Sequence, residues 1–98
     1  MVKLYFFYQV TKEKQKDYFK STNETIKPFW LKNGCSSYEV YQEAGEGTSF
    51  IKEMVFGDLP AMQKALSLPE SSQEAKTIVE LFFSMVINVR TKPYMKIT

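Results

Sequence analysis

The segment 3–10, which reads Lys-Leu-Tyr-Phe-Phe-Tyr-Gln-Val, carries apolar side chains at both odd and even positions. It is short and aromatic, which favours a β-strand over a helix. Because successive side chains of a strand point in opposite directions, Phe6 and Tyr8 would lie on one face, and Tyr5 and Phe7 on the other. A sheet that is covered by helices on one side needs only one apolar face. Something other than the helices of this chain must therefore cover the second face.

Residues 12–32 change to a helical period. Pro28 has no backbone N–H and should kink or split this helix near Lys27, and Gly34 should end it. One stripe of the predicted helix is largely apolar and faces away from the Lys- and Glu-rich side: Tyr18, Thr22, Ile26, Phe29 and Trp30.

The middle of the chain predicts a hairpin followed by a second helix. Strands are expected at 35–43 and 49–56, with a glycine-containing turn between them. Asp58 is suited to cap the second helix, which Leu68-Pro69 should interrupt before it resumes. The residues expected to face inward from its first part are Leu59, Met62, Ala65 and Leu66.

With a fourth strand at 86–91, which Pro93 should break, the order of elements becomes β-α-β-β-α-β. This order is typical of a ferredoxin-like α+β domain, in which a four-stranded antiparallel sheet carries both helices on one face. The length predicts a single domain over residues 1–98. On a monomer, the face with Tyr5 and Phe7 would be an exposed apolar patch. We therefore predict a homodimer that packs sheet against sheet, a dimeric α/β barrel.

The composition excludes most of the usual kinds of catalytic site. The chain has no histidine, the commonest general base near neutral pH and the commonest metal ligand. Ser-His and Cys-His nucleophilic pairs and histidine-ligated haem are thereby excluded. A zinc site would need several Cys or carboxylate ligands, and Cys35 is the only cysteine. No phosphate-binding glycine motif occurs, so we predict neither a metal site nor a cofactor.

Charge and cysteine content indicate the compartment and the partners. A formal net charge of +2 is too small to require a nucleic acid or a membrane. No apolar run is long enough to span a bilayer, and the N-terminal sequence lacks a signal-peptide pattern. A single cysteine suits a reducing compartment. We expect a cytoplasmic protein in which Cys35 is a small buried hydrophobe.

Three stretches carry a resemblance to a known family. Lys3-Leu4 and the apolar residues up to Tyr8 are similar to that family's first strand. Gly34-Cys35-Ser36-Ser37-Tyr38-Glu39-Val40 is similar to its Gly-Leu-x-x-Tyr-x-Val entry into strand two, and 56–70 is similar to the end of its third strand and its second helix. The chain thus resembles the dimeric α/β-barrel superfamily, and within it the EthD-like small proteins, over nearly its whole length.

The chain departs from the family at one motif. The family commonly has Thr-His-x-Pro in the first helix, where this sequence has Thr25-Ile26-Lys27-Pro28, so that Ile26 replaces the histidine. Ser21-Thr22 replaces the tyrosine pair that often precedes the motif. The relatives include cofactor-independent oxygenases, haem-degrading enzymes and dehalogenases. The resemblance implies monooxygenase- or EthD-like handling of a small organic molecule without a cofactor.

Aromatic side chains between the predicted sheet and helices form the candidate site. A ring can pack against a flat ligand while a hydroxyl or indole N–H binds one of its polar atoms. The alternative is that these rings only fill the core of a non-catalytic dimeric scaffold. The residues expected to line a pocket for a small hydrophobic or aromatic molecule are Phe6, Tyr8, Tyr18, Trp30, Tyr38 and Phe82.

Two other questions stay open at the level of sequence. RNA-recognition domains share this order of elements and show aromatic residues on strands one and three, but 50–54 lacks their glycine and aromatic spacing. RNA would also compete with the partner subunit for the same face of the sheet.

Asn88 and Arg90 share a face with Val86 in the predicted fourth strand. They would donate to a ligand if that face looks into the pocket. On the dimer face they would instead pair with Glu39, Glu43 or Glu53.

Overall fold

A computed structural model describes all residues 1–98. The predicted order of elements is confirmed, with each helical part divided in two. The strands are β1 (Val2–Gln9), β2 (Ser37–Gln42), β3 (Ser49–Phe56) and β4 (Ile87–Met95). The helices are α1 (Lys12–Ser21), α2 (Lys27–Lys32), α3 (Leu59–Leu66) and α4 (Gln73–Met85). None of these helices is both long and apolar enough to cross a lipid bilayer.

The four strands form one antiparallel sheet in the order β2-β3-β1-β4. The helices cover one face of the sheet, and the buried core lies between them and that face. This is the predicted ferredoxin-like α+β arrangement. The alternation predicted for β1 is also confirmed, because Leu4 and Tyr8 are buried under the helices while Tyr5 and Phe7 are half-exposed on the opposite face.

Pro28 divides the first helical region, as predicted. Between α1 and α2 the chain makes a π-helical turn over Thr22–Ile26, closed by the N–H of Lys27, which donates to the carbonyl of Thr22. Pro28 cannot donate to the carbonyl four residues before it, so the wider turn accommodates the missing bond. Gly34, with φ of 102°, ends α2 in the left-handed conformation that glycine adopts without strain.

The second helical region starts at Asp58, whose carboxylate accepts a hydrogen bond of 2.8 Å from the backbone N–H of Ala61. A 3-10 turn over Leu68–Glu70 separates α3 from α4, as Leu68-Pro69 predicted. Met62 and Ala65 are buried. Leu66, also predicted to face inward, is only partly covered, because α3 ends at this residue and leaves 43% of it exposed.

Two predictions for the fourth strand are wrong. β4 continues through Pro93, which pairs opposite Leu4; an edge strand tolerates a proline because one side of it has no neighbour to bond. The pairing with β1 also shifts by one residue at Asn88, which has φ of 57°. This bulge reverses the alternation, so the prediction that Val86 and Arg90 share a face is also wrong. Val86 is buried under the helices, whereas Arg90 lies over the ring of Phe7 on the opposite face.

The face of the sheet that the helices leave uncovered is called the open face below. Its side chains follow from the strand register, in three rows across the sheet. The central row is Tyr41, Ile51, Phe7 and Arg90; the second is Glu39, Glu53, Tyr5 and Lys92; the third is Ser37, Val55, Lys3 and Tyr94. Arg90 therefore lies on the open face. The ion pairs of Glu39 and Glu53 within the chain are with Lys27 and Lys3, not with Arg90.

Candidate ligand-binding site

A cavity of about 200 Å³ lies between the sheet and the helices α2, α3 and α4. Its walls are apolar apart from a single amine, that of Lys52. Leu66 and Phe83 belong to the lining and are both largely exposed, so they form the rim where the cavity meets solvent. The remaining lining residues are Phe6, Trp30, Met54, Pro69, Ile78, Val79 and Phe82. We call this the apolar cavity.

Lys52 is the unusual residue of this cavity. It lies in the middle of β3 and exposes only 3% of its surface. Its Nζ lies 3.7 Å from the ring centroid of Phe82, 4.0 Å from that of Phe6 and 5.3 Å from that of Tyr38. Neither ion pair of the chain includes it. A charge that is removed from water without a counter-ion is costly, and burial accordingly lowers the pKa of Lys52 to about 7.

Sequence analysis missed Lys52, although the pattern contained a sign of it. The inward positions of β3 alternate with the outward ones, and they are Phe50, Lys52, Met54 and Phe56. A lysine in phase with three apolar residues is predicted to point inward with them. Lys52 was assigned no role from the sequence, and the register shows that Lys52 and Glu53 point to opposite faces of the sheet.

Three tyrosines form a hydroxyl cluster next to the cavity. The hydroxyls of Tyr8 and Tyr18 are hydrogen-bonded to each other. Tyr38 is buried and its hydroxyl has no hydrogen-bond partner. Burial is the largest cause of the raised pKa values of Tyr8, Tyr18 and Tyr38. All three phenols therefore stay protonated at neutral pH and can donate a hydrogen bond.

A second cavity, of about 290 Å³, lies on the other side of this cluster, between the π-helical turn and the strands β2 and β3. Tyr18, Tyr38 and Thr22 line it, and the hydroxyl of Thr22, like that of Tyr38, is buried without a partner. π-helical turns are often found at functional sites. Lys27 and Glu39, which form an ion pair at 3.9 Å, also belong to its lining.

The six residues predicted for the site are brought together, but not into one pocket. Phe6, Trp30 and Phe82 line the apolar cavity, while Tyr18 and Tyr38 line the second one. Tyr8 lines neither. Its ring lies between the two groups, 5.2 Å from the centroid of Phe82 and 5.9 Å from that of Tyr18, so it is a core residue that joins them.

Two other features bear on the site's chemistry. Cys35 is buried, its thiol donates to the carbonyl of Ser37 at 2.9 Å, and burial raises its pKa. It is thus a small hydrophobe, as predicted, and not an activated thiolate. A surface hollow of about 580 Å³ lies on the open face beside Tyr5 and Tyr94. The sheet separates this hollow from Lys52 and from the hydroxyl cluster of Tyr8, Tyr18 and Tyr38.

The sequence matches no protein-family model and no curated protein. Solved structures match over nearly the full length. The cofactor-independent oxygenase SnoaB from Streptomyces nogalater has a TM-score of 0.78 at 13% identity, with 99% of this chain and 93% of that chain covered. A conserved protein from Methanosarcina mazei Go1 has a TM-score of 0.76 at 20% identity, with coverages of 97% and 91%.

A third similar structure is that of a protein from Deinococcus radiodurans proposed to be an antibiotic biosynthesis monooxygenase. Its TM-score is 0.72 at 18% identity, with 100% of this chain and 94% of that chain covered. Identities this low establish a shared fold and not a shared activity. The narrower resemblance to EthD-like proteins stays a prediction. By its structure, this chain has a ferredoxin-like fold, which it shares with these three solved structures.

Proposed function

We propose that this protein is a homodimer that binds a small hydrophobic molecule, such as a single aromatic ring, in the apolar cavity, and that any reaction there proceeds without a cofactor. The observation that carries the proposal is the apolar cavity itself. An apolar cavity of about 150 Å³ is large enough to hold benzene, and this one measures about 200 Å³. A scaffold whose rings only filled the core would leave no such space.

Three properties of the site support this function. The walls combine aromatic rings with one polar group, which is typical of small-molecule sites. The phenols of the neighbouring hydroxyl cluster stay protonated at neutral pH, so no phenolate charge lies beside a bound apolar ligand. SnoaB, with a TM-score of 0.78 to this chain, is described as a cofactor-independent oxygenase, so the fold is compatible with chemistry that uses no cofactor.

The binding function is tested with fluorobenzene, observed by fluorine NMR. We expect saturable binding with a Kd on the order of 1 mM, since very small ligands gain little affinity in total. Val79→Phe should abolish it, because Val79 lines the apolar cavity and the larger ring would occupy the space. Leu31→Phe, at a position on α2 that is 43% exposed, is the matched control and should bind normally. Equal binding by both variants, or none by the wild type, would contradict the proposal.

The homodimer is proposed because the open face suits a second copy of itself. Its central row is apolar at Ile51 and Phe7, and its flanks carry charges of both signs, with Glu39 and Glu53 near one edge and Lys92 near the other. A two-fold axis through the centre would place the lysine edge of one copy over the carboxylate edge of the other. Closely matched charges of this kind favour a defined partner and register.

The dimer is tested by sedimentation velocity at micromolar concentration. We expect a dimer for the wild type and a monomer for Ile51→Lys, because each dimer would then bury two uncompensated charges near its centre. Ile51 is 39% exposed in the single chain, so the monomer tolerates the change. Leu31→Lys places the same charge on a helix and should remain dimeric. A monomeric wild type would overturn this part of the proposal.

A further inference from the structure

Lys52 raises the question of why an amine occupies an apolar cavity. A methionine would fill a similar volume without removing a charge from water. The side chain forms no ion pair, and its nitrogen lies against three rings. These contacts stabilise an ammonium only in part. For packing alone, lysine is therefore a more costly residue at this position than methionine.

The side chain of Lys52 also borders the space in which a ligand would bind. Lys52 belongs to the lining of the apolar cavity, whose rim at Leu66 and Phe83 is open to solvent. A ring that entered between α3 and α4 would contact the Lys52 side chain at the sheet. No other amine, and no carboxylate, lines the cavity.

We propose that Lys52 forms an imine with a small hydrophobic aldehyde or ketone bound in the apolar cavity. This inference rests on the proposed ligand-binding function and names the class of its ligand. The neutral amine attacks the carbonyl carbon, and its lone pair forms the C–N bond while the oxygen takes up a proton. One of the two N–H protons passes to that oxygen, and loss of the resulting hydroxyl group with the other N–H proton as one water molecule leaves a C=N bond. The step needs no oxidant or reductant.

The surroundings of Lys52 favour this reaction over simple salt formation. A lysine that is desolvated in a hydrophobic pocket becomes a nucleophile near neutral pH, and the pKa of about 7 leaves about half of it neutral there. The titratable groups closest to it are Cys35 and Tyr38 on the β2 side, and burial keeps both protonated at this pH. β1 and α4 present only the rings of Phe6 and Phe82 to it.

The experiment treats the full chain at pH 7 with benzaldehyde and sodium cyanoborohydride, which reduces an imine to a stable secondary amine. Peptide mass mapping then locates the benzyl group. We expect Lys52 to be labelled at least about tenfold faster than Lys27, because only Lys52 lies in the apolar cavity, where benzaldehyde is concentrated next to an amine that is desolvated by burial. The rate should rise with pH through about 7 and level off near pH 8. The N-terminal amine is reactive too, but it lies in a different peptide.

Three comparisons decide the outcome. Lys52→Met should lose only the rapid labelling, and Val79→Phe should slow it at Lys52 while leaving Lys27 unchanged. Labelling of Lys52 no faster than that of Lys27 would overturn the imine inference. If fluorobenzene still binds in that case, the proposed binding function stands and only the inference fails. If fluorobenzene does not bind either, the function itself is wrong.

Discussion

Lys52→Met is expected to stabilise the protein, and to do so most at low pH. In the folded state burial lowers the pKa of Lys52 to about 7, whereas in the unfolded chain it returns to an ordinary value near 10.4. Below pH 7 the amine is charged in both states, so folding must bury a charge. We expect the variant to be more stable by about 2–4 kcal/mol at pH 6.

The dependence on pH has a definite sign. Between pH 7 and about 10 the unfolded chain holds a proton on Lys52 that the folded chain has released, so the free energy of unfolding of the wild type rises with pH. From pH 6 to pH 8 the rise due to Lys52 amounts to about 1.4 kcal/mol. The variant lacks this contribution, so the difference between the two proteins should shrink by that amount.

Urea unfolding at a single protein concentration measures the effect, since the stability of a dimer depends on concentration. The chain has no histidine, which removes the side chain that usually dominates this range of pH. Cys35, whose pKa is raised by burial, lowers stability only as the unfolded thiol ionises above about pH 8, which lies outside the interval from pH 6 to pH 8 over which the two proteins are compared. A variant less stable than the wild type at pH 6 would show that the ammonium is well accommodated in the cavity.

The fold could be predicted from the sequence because its determinants are local. The two-faced pattern of β1, the apolar stripe up to Trp30 and the break at Pro28 each follow from a few neighbouring residues. Pairing then follows from the order of elements, since a β-α-β-β-α-β chain has few ways to form one antiparallel sheet. These are the features that the structure confirms.

The errors and omissions depend on longer-range geometry. The bulge at Asn88 changes which residues of β4 share a face, and no short sequence motif predicts it. Pro93 was predicted to break a strand, but β4 is an edge strand, in which a proline does not interrupt the pairing. The apolar cavity depends on how closely α3 and α4 approach the sheet, and a sequence pattern does not fix that distance. The sequence could therefore name rings that line a pocket, such as Phe6 and Phe82, but not the empty space between them.

Phe82→Ala is expected to cost about 3–5 kcal/mol of folding free energy, the range found for removing a buried phenylalanine. Phe82 is 4% exposed, and its ring lies 6.0 Å from that of Phe6, 5.2 Å from that of Tyr8 and 3.7 Å from the nitrogen of Lys52. The truncation would leave a gap that extends the apolar cavity towards the tyrosines. It would also remove the contact between the Phe82 ring and the nitrogen of Lys52.

Phe83→Ala provides the matched control, because it removes the same ring one position along α4. Phe83 is 52% exposed at the rim of the cavity, so its loss should cost less than about 1 kcal/mol. Urea unfolding of both variants at pH 8, where most of Lys52 is neutral, separates the packing of Phe82 from its contact with the charge. If Phe82→Ala does not fold, Phe82→Leu keeps most of the volume and should cost about 1–2 kcal/mol. Equal losses at 82 and 83 would mean that the ring of Phe82 is not packed on all sides, since only such a ring makes truncation this costly.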